Sequence, residues 1–317
     1  MKCLCCGKLI KDNASEKELS SRWHSACVKR FFGTKSLPDI DITEDVLEQL
    51  AIKNTNKGLT VPGVQKKLSL HLENSGTIPR LTLVNHPTGY ILKPQTKEYP
   101  CLPEAEYLVM MMAEKSGIKT VPHALIYLQS QDSYAYITKR IDRADGKILA
   151  MEDFCQLSER LTEDKYKGSY EQCSKIIKMH SSRYGLDMTE FFIRLVFSYI
   201  VGNSDMHMKN FSLIETDEGS GTYILSDAYD MLPVNSVNPA DTEQLALTLN
   251  GKKNNLHKND FLKLATTCDI DKSVALRLID SLKQQENMYL CEIEDSYITP
   301  DLKENLKSIV TDRIKLL

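Results

Sequence analysis

No run of apolar residues in this chain approaches the roughly 18 to 20 that a bilayer-spanning helix needs. The N-terminal MKCLCCGKLI lacks the apolar centre of a signal peptide, so a cytoplasmic protein is expected. There is no internal repeat and no low-complexity tract, which sets repeat architectures aside. An excess of either charge is missing too: 40 basic against 43 acidic side chains give a formal net charge of −3, with no global attraction to nucleic acid. What is present is an ordinary globular composition over 317 residues, 42% hydrophobic and 26% charged, enough for one large or two ordinary domains. Nine cysteines without a secretory signal point to thiols or metal ligands rather than a disulfide framework, and their odd number fits.

The charge is unevenly spread. Residues 1–36 hold eight basic and three acidic side chains, a net of +5, which marks them as a separate unit. There Cys3 and Cys6 form C-x-x-C with Gly7 behind it, and His24 and Cys27 form H-x-x-C beyond a polar stretch. This spacing fits a closed, tetrahedral Cys3His structural zinc site. So short a segment cannot build a core alone, and zinc would stabilise it by on the order of 10 kcal/mol. Cys5 could replace Cys6 or be a free thiol; the competing reading is a disordered head with incidental cysteines. Residues 37–56 read as an acidic linker and a short helix with Val46, Leu47, Leu50 and Ala51 on one face.

Residues 57–143 read as a β-rich lobe. It opens on KGLTVPGVQKK, where glycines, adjacent lysines and free amides can cradle phosphates, although a glycine turn before a strand is more often only a turn. Leu68, Leu70 and Leu72 alternate as a strand, and Asn74-Ser75-Gly76 turns into Arg80–Val84. A third strand, Gly89–Pro94, carries Lys93 among apolar residues. A lysine there is costly unless it meets an anion, a phosphate or a carboxylate. The helix 104–116 follows, with Leu108, Met111 and Met112 inward, and Glu106 in its first turn is the natural partner for Lys93. Strands 124–128 and 134–141 end the lobe at Lys139-Arg140-Ile141-Asp142-Arg143, where backbone groups would meet an adenine ring.

Residues 144–317 read as mainly helical: 152–157, 170–180, 189–201, 258–268, 271–287 and 300–316. Strands first and helices later predict an α+β protein of two lobes with a cleft between them. The apolar helix in FFIRLVFSYIVGNSDMHMKN ends at Gly202-Asn203-Ser204, and the turn sets Asp205, His207, Lys209 and Asn210 on an irregular loop. An acidic, glycine-rich turn at 215–221 makes a hairpin of 211–214 and 222–225, which returns Asp230 towards Asp205. Two carboxylates and an amide then suit phosphoryl transfer, in which one carboxylate orients the attacking hydroxyl and the other group holds Mg²⁺ with the amide oxygen. Protein kinases space their catalytic Asp and metal Asn by the same D-x-x-x-x-N interval, although the flanking HRD and DFG letters are missing here. The competing reading is a polar helix-to-strand loop with a capping Asp.

Taken together, Thr60-x-x-Gly63-x-Gln65-x-Lys67, Ile91-Leu92-Lys93, Ala105-Glu106-Tyr107, Arg140-x-Asp142-Arg143, Gly202-Asn203-Ser204-Asp205-x-His207-x-Lys209-Asn210-Phe211 and Ala228-Tyr229-Asp230 resemble the HipA-like toxin kinases over about residues 57–316. The resemblance implies a two-lobed, protein-kinase-like fold and a bacterial serine/threonine kinase of a toxin–antitoxin system. Asp205 would accept the substrate proton, and Asn210 and Asp230 would bind Mg²⁺. Lys93 would hold the α- and β-phosphates of ATP, Pro62, Gly63, Val64, Gln65, Lys66 and Lys67 would form the phosphate loop, and Lys139 and Ile141 would meet adenine. His207 and Lys209 would sit near the phosphates. Thr60 stands where these kinases carry a serine open to autophosphorylation, and a phosphate there would add nearly two negative charges to a loop meant for a polyanion. The competing role for Thr60 is a hydroxyl that caps the turn.

Larger members begin with an extra N-terminal subdomain, so this chain looks like the shorter, split form (HipT-like), with that part as a separate small protein. The Cys/His head is not a general feature of the family. The implied partners are a helix-turn-helix antitoxin, with DNA contacted only through it, and an aminoacyl-tRNA synthetase as substrate; no membrane is implied. Two other readings compete: a small-molecule or lipid kinase on the same scaffold, and an inactive kinase body whose zinc-bearing head binds DNA.

Overall fold

The computed structural model describes residues 1–40, 67–73, 79–82, 89–144 and 146–317. The short helix read within 37–56, the turn at 74–76, Thr60 and the loop residues Pro62, Gly63, Val64, Gln65 and Lys66 lie outside the described residues. The class is α+β, and the chain divides into two compact units, Met1–Tyr107 with Val121–Arg143 and Leu108–Thr120 with Ala144–Leu317.

The first unit is built on a six-stranded sheet of β1 (Asp39–Ile40), β2 (Leu68–Glu73), β3 (Arg80–Thr82), β4 (Tyr90–Pro94), β5 (His123–Leu128) and β6 (Ser133–Lys139) in the order β1-β3-β2-β4-β6-β5. Period-two alternation sets β2, where Leu68 and Leu70 are buried and Ser69 between them is exposed. Strand β4 lies inside the sheet, antiparallel to β2 and β6 with Lys93 opposite Tyr136, so its side chains have little access to water. The head is folded, with two short helices, Glu16–Ser21 behind a Ser15/Glu18 capping box and Ser25–Phe32. Trp23, Phe31 and Phe32 form an aromatic cluster that packs on Tyr90 of β4, with ring centroids 4.8–6.0 Å apart.

The second unit is mainly helical. Its centre is the helix Tyr184–Ile200, on which Phe191, Phe192, Leu195, Val196, Phe197, Tyr199 and Ile200 are fully buried. The helix starts earlier than its apolar run because Asp187 is buried and accepts hydrogen bonds from Ser181 Oγ, Arg183 Nε and the Leu225 amide. Beside it Met151–Asp153, Ser212–Glu215 and Tyr223–Leu225 form a three-stranded antiparallel sheet. The hairpin has the expected shape, but the first strand is a departure from the helix expected at 152–157. Pairing of Glu152 with Leu213 holds 151–153 extended, and only Phe154–Leu157 turns helical, capped by Asp153. The single helix expected over 271–287 is two, Lys272–Lys283 and Glu286–Glu294. Among the described residues no helix is long and apolar enough to cross a membrane.

Candidate active site

The loop after Tyr184–Ile200 is held by the core beneath it. Gly202 turns the chain with φ +74°, where a Cβ would also meet Ile309 Cγ2 at 3.2 Å. Asn235 fixes the same turn: its amide donates to the Gly202 carbonyl at 3.0 Å, its Nδ2 reaches the Asp241 and Glu243 carbonyls, and Arg313 donates to its Oδ1 at 2.6 Å. Ser204 Oγ donates to Asp241 at 2.6 Å. Asp205 follows with its side chain 42% exposed, enough to meet a substrate, whereas His207 and Asn210 are buried. Asn210 Nδ2 donates to the Asp205 carbonyl at 2.8 Å, so its Oδ1 is the atom left for a cation.

Asp230 comes to this loop through its neighbour. The half-buried Tyr229 donates its phenol hydrogen to the Lys209 carbonyl at 3.0 Å and lies 2.5 Å from Ser212 Oγ, which docks the Asp230 segment on the backbone that carries Asn210. Asp230 itself is left-handed, with φ 59°. The electrostatics agree. Burial lowers the His207 pKa and Lys165 adds to this, while the Asp205 and Asp230 carboxylates both oppose them, so both carboxylates act on one imidazole. His207 Nε2 lies 3.9 Å from Asp205 Oδ1, and its buried Nδ1 makes no hydrogen bond among the described residues.

In the first unit Lys93 and Glu106 are both buried, with Nζ 2.5 Å from Oε1, and the ammonium sits 5.3 Å from the centre of the Tyr136 ring. The Lys139 amide donates to the Pro122 carbonyl at 2.9 Å and is therefore committed within the sheet. Ile141 stands one residue before Asp142, which Arg140 clasps with two bonds of 3.0 and 2.7 Å and Arg143 with one of 2.8 Å. Lys67 precedes β2 and is exposed. Cys3, Cys6, His24 and Cys27 come together, with one potential ligand atom from each within 4.8 Å of the others.

Three residues of the second unit had no signal in the sequence that singled them out. Tyr166 donates to Asp205 Oδ1 at 2.6 Å, and its ring meets His207 edge-on at 5.1 Å. Asp153 pairs with Lys209 at 2.6 Å, which holds that lysine against the start of the short helix. Asn235 anchors the turn. All three arrive from distant segments, and only the spacing of a folded relative could have pointed to them.

The family model of the HipA-like C-terminal domain matches residues 59–288. A protein of Sinorhizobium fredii, named "Putative kinase Y4dM", is 30% identical over 231 residues, 68% of this chain and 55% of that protein. A Haemophilus influenzae protein named "Putative kinase" is 28% identical over 172 residues, 50% of this chain and 48% of that protein. The chain thus spans about half the length of these curated relatives. Among solved structures, a chain of the Shewanella oneidensis toxin–antitoxin complex of HipA, HipB and operator DNA superposes with a TM-score of 0.67 at 15% identity, covering 84% of this chain and 70% of that one. The Helicobacter pylori proinflammatory kinase CtkA does so with a TM-score of 0.55 at 16% identity, covering 78% and 93%. The fold is therefore that of these kinase-like proteins.

Proposed function

Because the chain belongs to the HipA-like C-terminal domain family, we propose that it is an ATP- and Mg²⁺-dependent kinase that phosphorylates serine or threonine hydroxyls of a protein. In this reading residues 57–143 hold the nucleotide and residues 144–317 carry the catalytic loop. Asp205 takes the proton of the attacking hydroxyl as the oxygen bonds to the γ-phosphorus and ADP departs. Asn210 Oδ1 and the Asp230 carboxylate are hard oxygen donors of the kind that Mg²⁺ takes together with substrate phosphates. When bound, the ion would neutralise charge on the transferred group. Lys93, oriented by Glu106, holds the α- and β-phosphates, helped by Lys67 and its loop; the Ile141 backbone and the carbonyl of Lys139, whose amide is taken by Pro122, meet adenine. His207 and Lys209 are held close to the metal ligands, His207 uncharged and Lys209 steered by Asp153.

The observation that most supports this reading is the Tyr229–Lys209 hydrogen bond, since it brings Asp230 to Asn210 across the intervening hairpin. The HipA relative was solved with HipB and operator DNA. By extension this chain pairs with a helix-turn-helix antitoxin, reaches DNA only through it and works as a growth-inhibiting toxin in the cytoplasm. An aminoacyl-tRNA synthetase is the proposed substrate class, and phosphate on Thr60 restrains ATP binding.

The test is transfer from γ-labelled ATP into a bacterial lysate by the purified chain. The expected result is a Mg²⁺-dependent labelled protein band that yields phosphoserine or phosphothreonine, lost in Asp205→Asn although that variant still binds ATP. Full transfer by Asp205→Asn removes the residue as base. Label confined to small molecules or lipids transfers the assignment to those substrates, and no ATP turnover at all ends the kinase reading.

A further inference from the structure

Four side chains of the head, outside the proposed kinase chemistry, have the arrangement of a metal site. Cys6 Sγ lies 3.5 Å and Cys27 Sγ 4.0 Å from His24 Nδ1. A tetrahedron with zinc–sulfur bonds of about 2.3 Å and zinc–nitrogen bonds of about 2.0–2.1 Å has sulfur–nitrogen edges of about 3.5 Å. The four potential ligand atoms, all within 4.8 Å of one another, thus fit around a single ion and are too close to span a multi-iron cluster.

The surroundings orient these ligands. His24 Nε2 lies 3.3 Å from the Leu9 carbonyl, which can only accept, so Nε2 carries the hydrogen and Nδ1 presents its lone pair to the cysteines. Cys3 Sγ accepts the His24 amide at 3.4 Å. Gly7, with φ +68°, lets the chain double back, and its amide donates to the Cys3 carbonyl at 2.9 Å while the Cys3 amide donates to Lys8 at 2.8 Å. Cys5, the other cysteine of this turn, has its sulfur beside Arg30, 4.0 Å from Nη2.

The head also closes an open edge. Strand β5 is outermost in its sheet, and such a row of unpaired backbone groups invites association with other chains. Here the Leu125 amide donates to the Leu4 carbonyl at 2.8 Å, and the Leu125 carbonyl accepts the Trp23 indole at 3.2 Å. Leu4 lies inside the Cys3–Cys6 knuckle, and Trp23 immediately precedes His24. The two residues that cover the edge are thus next to metal ligands in the chain.

We propose that Cys3, Cys6, His24 through Nδ1 and Cys27 bind one structural Zn²⁺ that holds Leu4 and Trp23 on Leu125, so that the metal seals the outer strand of the first sheet. All four positions are protein ligands, which leaves none for water or substrate. The proposal is independent of the kinase reading.

The full-length chain provides its own probe, because Trp23 is its single tryptophan. Metal analysis should find one zinc per chain, kept in Cys5→Ser and lost in Cys6→Ser and His24→Ala. Cobalt substitution should give the absorption of a tetrahedral thiolate site. Removing zinc with a chelator should shift Trp23 emission to the red, reversed when zinc is restored. Substoichiometric metal in the wild-type chain overturns the site, as does loss in Cys5→Ser with retention in Cys6→Ser; the wild-type analysis decides even if a variant fails to fold. Emission unchanged on full zinc removal overturns the coupling to the sheet.

Discussion

Tyr166 donates its phenol hydrogen to Asp205 Oδ1 at 2.6 Å, so the carboxylate proposed to receive the substrate proton is held in place on one side. Burial and then the Asp205 charge push the phenol pKa upward, which keeps Tyr166 the donor. Because Tyr166 is 45% exposed, we assign the bond about 1 kcal/mol, below the range for buried charged pairs. Tyr166→Phe should therefore lower kcat by roughly five-fold with the KM for ATP unchanged. A raised KM with normal kcat would place Tyr166 in nucleotide binding instead.

Lys93 and Glu106 make a different prediction, because both are buried. Removing one partner leaves the other charge buried without it, at a cost of about 3–5 kcal/mol, whereas replacing both with apolar residues of similar size is often nearly neutral. Glu106→Leu and Lys93→Met should each lower the melting temperature strongly, and the double variant should recover most of the loss. ATP binding should remain absent in the double variant. Calorimetry with nucleotide titration checks both; additive destabilisation would mean that the two charges are not coupled.

The sheet and most helices were legible because their periodicities are local: Leu68 and Leu70 alternate, and the helix before Gly202 is nearly all apolar. The strand Met151–Asp153 was not, since it is held extended by pairing with Ser212–Ile214 some sixty residues away. The same holds within the candidate site. Asp205 and Asn210 stand out by following an apolar helix at a chemically meaningful interval, whereas Tyr166, Asp153 and Asn235 lie in unremarkable polar stretches and matter only through where the fold takes them. The C-x-x-C spacing pointed to Cys6 but left Cys5 open as its replacement, and the position of His24 Nδ1 beside Cys6 Sγ favours Cys6.

The turn beneath the proposed catalytic loop should tolerate a side chain poorly. At Gly202 a side chain meets both a left-handed backbone and Ile309 Cγ2 at 3.2 Å. Gly202→Ala is expected to cost about 1–3 kcal/mol, most of it strain, and to lower kcat beyond what Tyr166→Phe does, because Asp205 and Asn210 follow on the displaced loop. Denaturant unfolding and steady-state rates measure the two effects separately. Wild-type stability in Gly202→Ala would show that the turn can relax.

Glu104 supplies a pH dependence that has nothing to do with catalysis. Burial raises its pKa from the ordinary 4.5 to about 7, and its buried Oε2 has no hydrogen-bond partner among the described residues. The folded chain therefore keeps this proton at a pH where the unfolded chain has released it. Its stabilising contribution is complete below pH 4.5 and declines as the pH rises towards 7, the reverse of a salt-bridged carboxylate. At about 1.4 kcal/mol per unit, the full difference between acid and neutral conditions is about 3 kcal/mol. Glu104→Gln removes the titrating proton, so its stability relative to wild type should rise steadily between pH 5 and pH 8, by roughly 2–3 kcal/mol in all. Urea unfolding of both proteins across that range checks it, and parallel pH profiles would show that Glu104 is ionised throughout.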